Sequence, residues 1–528
     1  MQLGISKKFQ KVKKESALIM RKQMKIAAVV SAAALLAIGA SFTSMAAEKG
    51  TWQLEGGEWY CYDKDGEPYE DTFCLSNGKE FYVNDDGILE GNRWVEDGED
   101  MYYVNSAGEK IVNDWRLAVP YEDEDADEEW YYFQASGKRA EDRKLVINGK
   151  TYYFDSDGVM LTGWVSKEKG SKSYEKASKG DIENKEVDVV YCNEDGSRAS
   201  KLWIQEYEPG TDEEDEDEDN LNYYYIKDTG VAATGKQKNI NGQTYFFSKE
   251  GVMLSGWVAG SSSYAEIWTD EEDDIPSLPT LKEVVAKGEN VYFCGDEDDG
   301  HMKKNKWVKT WNNKDFGLND DDKDEFWFFL KKDGSVYVPE VEKLVAAQKY
   351  KLNDITADVE DIFTTKATDA FNGFEYKVNG ETYLFDENGQ MKNGFVKMDG
   401  KMYYFGGSND GARKTGSFSV NDDNGESAKC YFATKTENDY KYYNAAGING
   451  AKSGKLYTDG VLVKANEDKY EMKTVEIDGT PYSFIVNKSG TIQDDTDVYK
   501  EDGEPLFGGK KFSYIPDKGA TYKAIDEK

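Results

Sequence analysis

The segment Ile147–Val165, "INGKTYYFDSDGVMLTGWV", decides the fold because it recurs as "INGQTYFFSKEGVMLSGWV" at Ile240–Val258. The two copies are identical at 13 of 19 positions and begin 93 residues apart. Each copy contains an Asn-Gly pair, an aromatic run, a turn glycine and a Gly-Trp pair. A segment that is too short to be a domain, and is used twice, indicates a repeat architecture.

A shorter unit inside this segment occurs throughout the chain. It consists of two aromatic or apolar residues, a third apolar residue, three polar residues and a glycine. Eleven strict copies end at Gly66, Gly87, Gly108, Gly137, Gly158, Gly196, Gly230, Gly251, Gly334, Gly389 and Gly490. The spacing between consecutive glycines is 21 residues in four places. Such a period predicts an array of similar small structural units.

Each unit is predicted to be a β-hairpin. Tight-turn pairs precede many copies: Asn77-Gly78, Asp97-Gly98, Asn148-Gly149, Asn241-Gly242, Asn379-Gly380, Asp399-Gly400 and Asp478-Gly479. Asn-Gly and Asp-Gly suit a type I′ turn because both central residues need positive φ. An isolated hairpin is marginally stable in water, so neighbours must stack. We therefore predict an all-β array of stacked β-hairpin repeats, β-solenoid-like, with loop and short helical insertions.

A tryptophan follows the turn glycine by six or seven residues in many copies: Trp94, Trp115, Trp164, Trp203, Trp257 and Trp307. With the aromatic doublet, the methionine and the Gly-Trp pair, the two quoted segments resemble cell-wall-binding repeats of Gram-positive bacteria, of the choline-binding and glucan-binding type. "VNGETYLFDENGQMKNGFV" at Val378–Val396 is similar. The resemblance implies a solenoid of hairpins with ligands in aromatic pockets between successive hairpins.

Long insertions interrupt the array after Trp164, after Trp257 and from Val338 to Phe371. The third contains "PEVEKLVAAQKYKL", whose pattern predicts part of a helix. We expect these segments: a signal peptide at 1–46, hairpin repeats with acidic insertions at 47–260, irregular repeats at 261–337, a partly helical insertion at 338–373, further hairpin repeats at 374–490 and a C-terminal segment at 491–528. Acidic runs lie between a tryptophan strand and the next aromatic strand, at Glu122–Glu129, Asp212–Asp219 and Asn319–Glu325. They are predicted to be solvated hairpin loops, with calcium binding as the alternative.

The first 46 residues combine a basic stretch with a short apolar run and a small-residue site before Ala47. This pattern is typical of a secretory signal peptide, and the apolar run is too short to span a membrane. The chain carries a net charge of −36. A strongly acidic surface repels nucleic acid. We expect a secreted protein, extracellular or non-covalently associated with the cell wall, without a membrane span after signal cleavage.

The most regular units supply the candidate ligand-binding residues. These are Tyr152, Tyr153, Met160 and Trp164 in one unit, Tyr245, Phe246, Met253 and Trp257 in the other, and Trp94 and Tyr102 earlier in the array. Their rings either fill the gaps between hairpins or stack on a sugar or a quaternary ammonium group. The insertion after Trp164 removes one wall of a cage, so we expect a flat platform for neutral glycan at Trp164 and Trp257. The expected partner is a cell-wall polymer or glycan, with choline-bearing polymer as a candidate.

Catalytic chemistry has little support in the sequence. The single histidine, His301, lies in an irregular repeat, and no metal-ligand spacing or phosphate-binding loop is visible. We therefore expect a non-catalytic protein without a cofactor or metal. The alternatives are an adhesin that binds host or neighbour proteins, and a wall hydrolase with a divergent catalytic part. The five cysteines are sparse, and Cys61 and Cys192 occupy aromatic positions of the repeat, which favours small buried hydrophobic residues over disulfides.

Overall fold

The structure is a computed structural model that describes residues 50–212, 220–266, 280–311, 325–352, 368–421, 425–436, 443–515 and 521–523. The predicted signal peptide at 1–46 lies outside the described residues. So do most residues of the acidic runs Asp212–Asp219 and Asn319–Glu325. The chain forms two compact units. One comprises the residues up to Gln237 with Phe247–Met253, and the other comprises Lys238–Phe246 and the residues from Leu254 onward.

The first unit consists of small antiparallel sheets. Its strands are β1 (Thr51–Glu55), β2 (Glu58–Tyr62), β3 (Thr72–Ser76), β4 (Lys79–Val83), β5 (Arg93–Asp97), β6 (Asp100–Val104), β7 (Asp114–Ala118), β8 (Glu129–Phe133), β9 (Arg143–Ile147), β10 (Lys150–Phe154), β11 (Gly163–Glu168), β12 (Glu175–Lys176), β13 (Val187–Cys192), β14 (Leu202–Glu206) and β15 (Asn222–Ile226). Consecutive strands pair as hairpins, except that β11 pairs with both β12 and β13. This arrangement confirms the predicted array of hairpins.

The hairpin pattern continues along the chain and then widens into larger sheets. The elements are β16 (Gly235–Ile240), β17 (Gln243–Phe247), β18 (Trp257–Gly260), β19 (Tyr264–Glu266), the helix α1 (Leu281–Ala286), β20 (Asn290–Phe293), β21 (Lys306–Trp311), β22 (Glu325–Leu330), β23 (Val345–Tyr350), β24 (Thr368–Val378), β25 (Glu381–Asp386), β26 (Met391–Lys392), β27 (Gly394–Met398) and β28 (Lys401–Phe405). Strands β23–β28 form one six-stranded sheet in the order β26-β25-β24-β23-β27-β28.

The remaining strands also form larger sheets. They are β29 (Gly416–Asn421), β30 (Ser427–Phe432), β31 (Gly450–Lys452), β32 (Lys455–Thr458), β33 (Val461–Val463), β34 (Tyr470–Ile477), β35 (Thr480–Asn487), β36 (Lys500–Glu501), β37 (Glu504–Pro505), β38 (Ser513–Ile515) and β39 (Thr521–Lys523). They make a five-stranded sheet (β29-β30-β33-β32-β31), a four-stranded sheet (β34-β35-β39-β38) and a two-stranded pair (β36-β37). The last repeats therefore share sheets, whereas the earlier hairpins each form their own.

The predicted Asn-Gly turns have the backbone conformation that the sequence requires. In the turn between β9 and β10, φ is 50° at Asn148 and 78° at Gly149, as a type I′ turn demands. Six of the seven predicted pairs occupy the two turn positions in this way. The exception is Asp97-Gly98: Asp97 is the last residue of β5 and pairs with Asp100, so this turn is centred one residue later.

Successive hairpins are joined by a repeated backbone contact. After several of the hairpins the chain turns back, and a residue of the linker donates its N–H to the second strand of the preceding hairpin. Met160 N–H donates to the Trp130 carbonyl at 2.8 Å, and Lys110 N–H donates to the Glu80 carbonyl at 2.8 Å. The side chain of this linker residue then packs beneath the turn glycine of the following repeat, as Met160 does beneath Gly196. Each hairpin is thereby tied to its neighbours in sequence, as in other repeat proteins.

The predicted helix in the 338–373 insertion is wrong for most of its described length. Val341–Lys343 forms a single 3₁₀ turn, and Val345–Tyr350 is the strand β23. This strand pairs with β24 on one side and β27 on the other. Ladder hydrogen bonds on both edges outweigh the weak helical preference of the local sequence.

The five cysteines are all buried, as expected for small hydrophobic residues at variable positions. Within the described part of the chain, no helix is long and apolar enough to cross a membrane. The acidic run Glu122–Glu129 is exposed at every position except Ala126, which agrees with a solvated loop.

Candidate ligand-binding aromatic clusters

Six tryptophans follow one packing rule. Each lies at or next to the start of the first strand of its hairpin, opposite a ring of the second strand, and also contacts a ring of the next hairpin. They are Trp94, Trp115, Trp164, Trp203, Trp257 and Trp307. Trp94 of β5 is paired with Tyr103 of β6, with ring centroids 5.1 Å apart. The same indole lies 4.7 Å from the ring of Tyr131 in β8 of the next hairpin. The tryptophans therefore connect neighbouring hairpins.

Trp94, Trp164 and Trp257 are buried, with exposed fractions of 9%, 7% and 0%. The indole N–H of Trp94 donates to the Val119 carbonyl at 2.8 Å, and that of Trp164 donates to the Tyr207 carbonyl at 3.0 Å. Both carbonyls belong to the following hairpin, just before its acidic run. A buried ring with a satisfied N–H fills the space between hairpins. Burial also raises the pKa of Tyr131, the neighbour of Trp94, to about 12.

The expected glycan platforms at Trp164 and Trp257 are therefore wrong. The insertion after Trp164 does not leave the ring uncovered, because its Ala177 and Ile182 pack in the same hydrophobic cluster. The insertion after Trp257 supplies Leu281 and Val284 of α1, which belong to the same hydrophobic cluster as that fully buried indole. A ring without an exposed face cannot stack on a sugar.

A different tryptophan, Trp115 of β7, lies in a half-buried cluster. Its ring centroid is 5.1 Å from Tyr132 of its own hairpin and 4.9 Å from Tyr152 of the next hairpin, with interplanar angles of 61° and 65°. Met160 packs on the same hydrophobic cluster, and all four of these side chains remain partly exposed. Three rings and a thioether thus meet at a partly exposed position on the array.

The same plan occurs around Trp203 and Trp307, which are also half-buried. Trp203 of β14 lies 5.3 Å from Tyr225 of β15 and 5.7 Å from Phe247, which is bridged to Met253. Trp307 of β21 has three such neighbours: Phe329 at 5.3 Å, Tyr383 at 4.7 Å and Phe385 at 5.6 Å. Met391 pairs with Phe385 and completes this cluster. We call these three sets the Trp115, Trp203 and Trp307 clusters.

The predicted site residues other than the three buried tryptophans are divided among several clusters. Tyr152 and Met160 belong to the Trp115 cluster, and Met253 belongs to the Trp203 cluster. Tyr245 is half-buried beside His301, with centroids 6.4 Å apart. The remaining predicted residues are buried against other rings: Tyr153 against Tyr174, Phe246 against Tyr292, and Tyr102 against Phe73.

A sequence signal for the missed residues exists. In the Trp115, Trp203 and Trp307 clusters, a methionine follows the last ring of the next hairpin by six residues: Met160 after Phe154, Met253 after Phe247 and Met391 after Phe385. Around the buried tryptophans, the equivalent residues are Arg139, Ala232 and Val336. Among these six clusters, the methionine therefore marks the three whose tryptophan is partly exposed. The residues missed are Trp115, Tyr132, Trp203, Tyr225, Trp307, Phe329, Tyr383, Phe385 and Met391.

Acidic charge accompanies these three clusters. Each of the three acidic runs lies in sequence between the cluster's tryptophan strand and the second strand of the same hairpin. Burial, and then the negative charge of Asp195, raise the pKa of Tyr152, so its phenol stays neutral at physiological pH. A neutral ring near a carboxylate such as Asp195 favours a cationic group over an anion.

His301, the single histidine, contacts Asp299 through Nδ1 and lies beside Lys303. Among the described residues there is no group of three or more His, Cys, Asp or Glu side chains that could hold a metal ion.

The fold and these clusters define a β-hairpin repeat protein with recurrent aromatic sites. Residues 145–182 match the family model described as "Choline-binding repeat", and residues 372–391 match the model described as "Putative cell wall binding repeat". Both matched segments contribute to the clusters, through Tyr152 and Met160 in one and Tyr383 and Met391 in the other. These two segments are therefore repeats of the cell-wall-binding, choline-binding type.

Three similar proteins illustrate the resemblance. "Glucosyltransferase-S" of Streptococcus mutans is 29% identical over 39% of this chain and 12% of its own length. The "Putative endo-beta-N-acetylglucosaminidase" of Streptococcus pneumoniae (TIGR4) is 35% identical over 20% of this chain and 15% of its own length. The chain thus matches less than a sixth of the length of either of these two relatives. Choline binding protein F of Streptococcus pneumoniae, crystallised in the presence of a peptidoglycan analogue, is 20% identical with a TM-score of 0.36, over 67% of this chain and 97% of that one.

Proposed function

We propose that this chain is a non-catalytic, secreted protein that binds a cell-wall polymer through the Trp115, Trp203 and Trp307 clusters. The proposed ligand is a quaternary ammonium group, such as choline, carried on that polymer. The observation that supports this proposal best is the threefold recurrence of one group around a partly exposed tryptophan: the tryptophan, a ring of its own hairpin, rings of the next hairpin and a methionine.

The angles between the rings favour an ammonium group over a flat sugar. In the Trp115 cluster, adjacent rings meet at 61° and 65°, so they do not form a single plane for a sugar ring to cover. A compact cation can contact several differently oriented ring faces at once, at about 0.5–2 kcal/mol per contact. Contacts that sum to about 4 kcal/mol correspond to a dissociation constant near 1 mM.

Weak individual sites are suited to a polymer that presents many equal groups. When one site is occupied, the other sites of the same chain meet further groups of that polymer at high effective concentration. Three equivalent clusters can therefore bind a wall polymer far more tightly than free choline. The exposed acidic run Glu122–Glu129, on the hairpin that carries Trp115, attracts a cationic group and repels free polyphosphate.

Sedimentation of the chain with purified cell walls tests the proposal. We expect the chain to co-sediment, millimolar choline to release it, and the triple variant Trp115→Ala/Trp203→Ala/Trp307→Ala to remain in the supernatant. Trp130→Ala is the matched control for Trp115→Ala, because Trp130 is a half-buried indole on the same hairpin outside the cluster.

The outcomes separate the possible ligands. Loss of binding in the triple variant without any effect of choline would identify a neutral glycan instead. Unchanged binding in both experiments would contradict the proposal. Release of reducing sugar from the same wall preparations would contradict the non-catalytic part of it.

A further inference from the structure

A fourth aromatic cluster has the ring arrangement of the Trp115 cluster with a phenylalanine in place of the tryptophan. Phe73 of β3 lies 5.6 Å from Tyr82 of its own hairpin and 5.4 Å from Tyr102 of the next hairpin. The interplanar angles are 60° and 65°, against 61° and 65° in the Trp115 cluster. The two clusters therefore present their rings at nearly the same angles.

The residue that closes this fourth cluster is Lys110, at the position that Met160 occupies in the Trp115 cluster. Lys110 is bridged to Val104 as Met160 is bridged to Phe154, six residues earlier in both cases. Each of the two residues donates its N–H at 2.8 Å to a carbonyl of the second strand in the preceding hairpin. The two side chains therefore leave the backbone at equivalent points.

The ammonium group of Lys110 lies on the rings of this cluster. Its Nζ is 4.7 Å from the ring centroid of Phe73 and 5.1 Å from that of Tyr102, within the range of a cation–π contact. Glu80 forms an ion pair with the same Nζ, and the Lys110 side chain is only 13% exposed. A Cβ at Gly137 would lie 2.8 Å from the Lys110 Cδ, so the next turn covers the side chain.

We propose that Lys110 is a built-in ligand that closes a fourth cation site. Its ammonium occupies the place that a quaternary ammonium group takes in the Trp115 cluster, so the residue at this linker position decides whether a cluster is open. This inference rests on the proposed function for the identity of the external ligand. An attached cation needs no association step, so a free cation competes poorly with it.

Counting the choline molecules bound per chain by equilibrium dialysis tests the assignment. The variant Lys110→Met, which gives the fourth cluster the methionine of the other three, should bind one more choline than the unmodified chain. Lys79→Met is the matched control: Lys79 is exposed, pairs with Glu109 on the surface and should leave the number unchanged. The reciprocal variant Met160→Lys should bind one choline fewer.

Near-UV circular dichroism establishes that each variant is folded. If Lys110→Met misfolds because Glu80 loses its partner, the double variant Lys110→Met/Glu80→Gln removes the unpaired charge and should show the same gain.

The results distinguish this inference from the proposed function. Choline binding by the unmodified chain without a gain in Lys110→Met overturns the role of Lys110 alone. A gain in Lys110→Met when the unmodified chain binds none supports the role of Lys110 and contradicts choline binding at the other clusters. Absence of binding by both proteins overturns both proposals.

Discussion

Gly196 lies directly against Met160: a Cβ added to Gly196 would be 2.1 Å from the Met160 sulfur. Gly196 also has φ of +75°, a conformation that strains any other residue. The turn glycine of one repeat therefore leaves room for the methionine of the Trp115 cluster. The glycine serves the turn and the neighbouring site at the same time.

This relationship predicts different costs for two glycine substitutions. Gly149→Ala introduces backbone strain alone, because φ is +78° and no atom lies within 4 Å of the new methyl group. We expect it to lower the free energy of unfolding by about 1 kcal/mol. Gly196→Ala adds a steric collision with Met160 and should lower the free energy of unfolding by about 2–4 kcal/mol. Chemical denaturation followed by near-UV circular dichroism measures both, and choline binding should weaken in Gly196→Ala only. Equal effects of the two substitutions would show that Met160 can move away freely.

Two tryptophan substitutions should separate packing from binding. Trp257→Ala removes a fully buried ring and should destabilise its unit by about 3–5 kcal/mol. Trp307→Ala removes a half-buried ring. It should lower the free energy of unfolding by about 1 kcal/mol and reduce binding to cell walls. Thermal melts and wall sedimentation of the two variants provide the comparison. If Trp307→Ala destabilised the chain as much as Trp257→Ala did, the Trp307 cluster would be packing rather than a site.

The thiols of Cys192 and Cys430 should be inert in the native chain. Both side chains are 0% exposed, and burial raises the pKa of each to about 12. Because the thiolate is the reactive form, we expect no alkylation at pH 8 until the chain unfolds. Mass spectrometry of the alkylated peptides measures this, with Ser156→Cys as an exposed control that reacts at once. Rapid native labelling of either residue would mean that its surroundings open readily.

Buried tyrosines should make the chain unstable in alkali. Burial raises the pKa of Tyr131 to about 12, and burial with the hydrogen bond to Asp71 raises the pKa of Tyr82 to about 12. An unfolded tyrosine ionises near pH 10, so the unfolded chain loses protons first as the pH rises. Stability from these groups is complete below pH 10 and is lost as the pH approaches 12. Phenolate absorbance and near-UV circular dichroism should change together, and Tyr131→Phe should remove one late-titrating group. If every tyrosine ionised near pH 10 while the fold stayed intact, this prediction would be wrong.

The sequence alone determined the repeating unit and its turns. The period of 21 residues and the Asn-Gly pairs specify hairpins, since a type I′ turn needs two residues that tolerate positive φ. Tyr152 and Met160 were predicted as candidate site residues because they lie in one of the two most regular repeats.

Only the tertiary structure decided which tryptophans are exposed. Trp164 and Trp257 lie in the most regular repeats, yet both are buried in hydrophobic clusters to which insertions without a repeat pattern contribute, through Ala177 in one and Leu281 in the other. The partner of Tyr152 is likewise Trp115 of the preceding hairpin and not Trp164 of its own repeat. Exposure is set by residues distant in sequence that pack on a ring, whereas a local pattern specifies only the backbone and the side on which each ring lies.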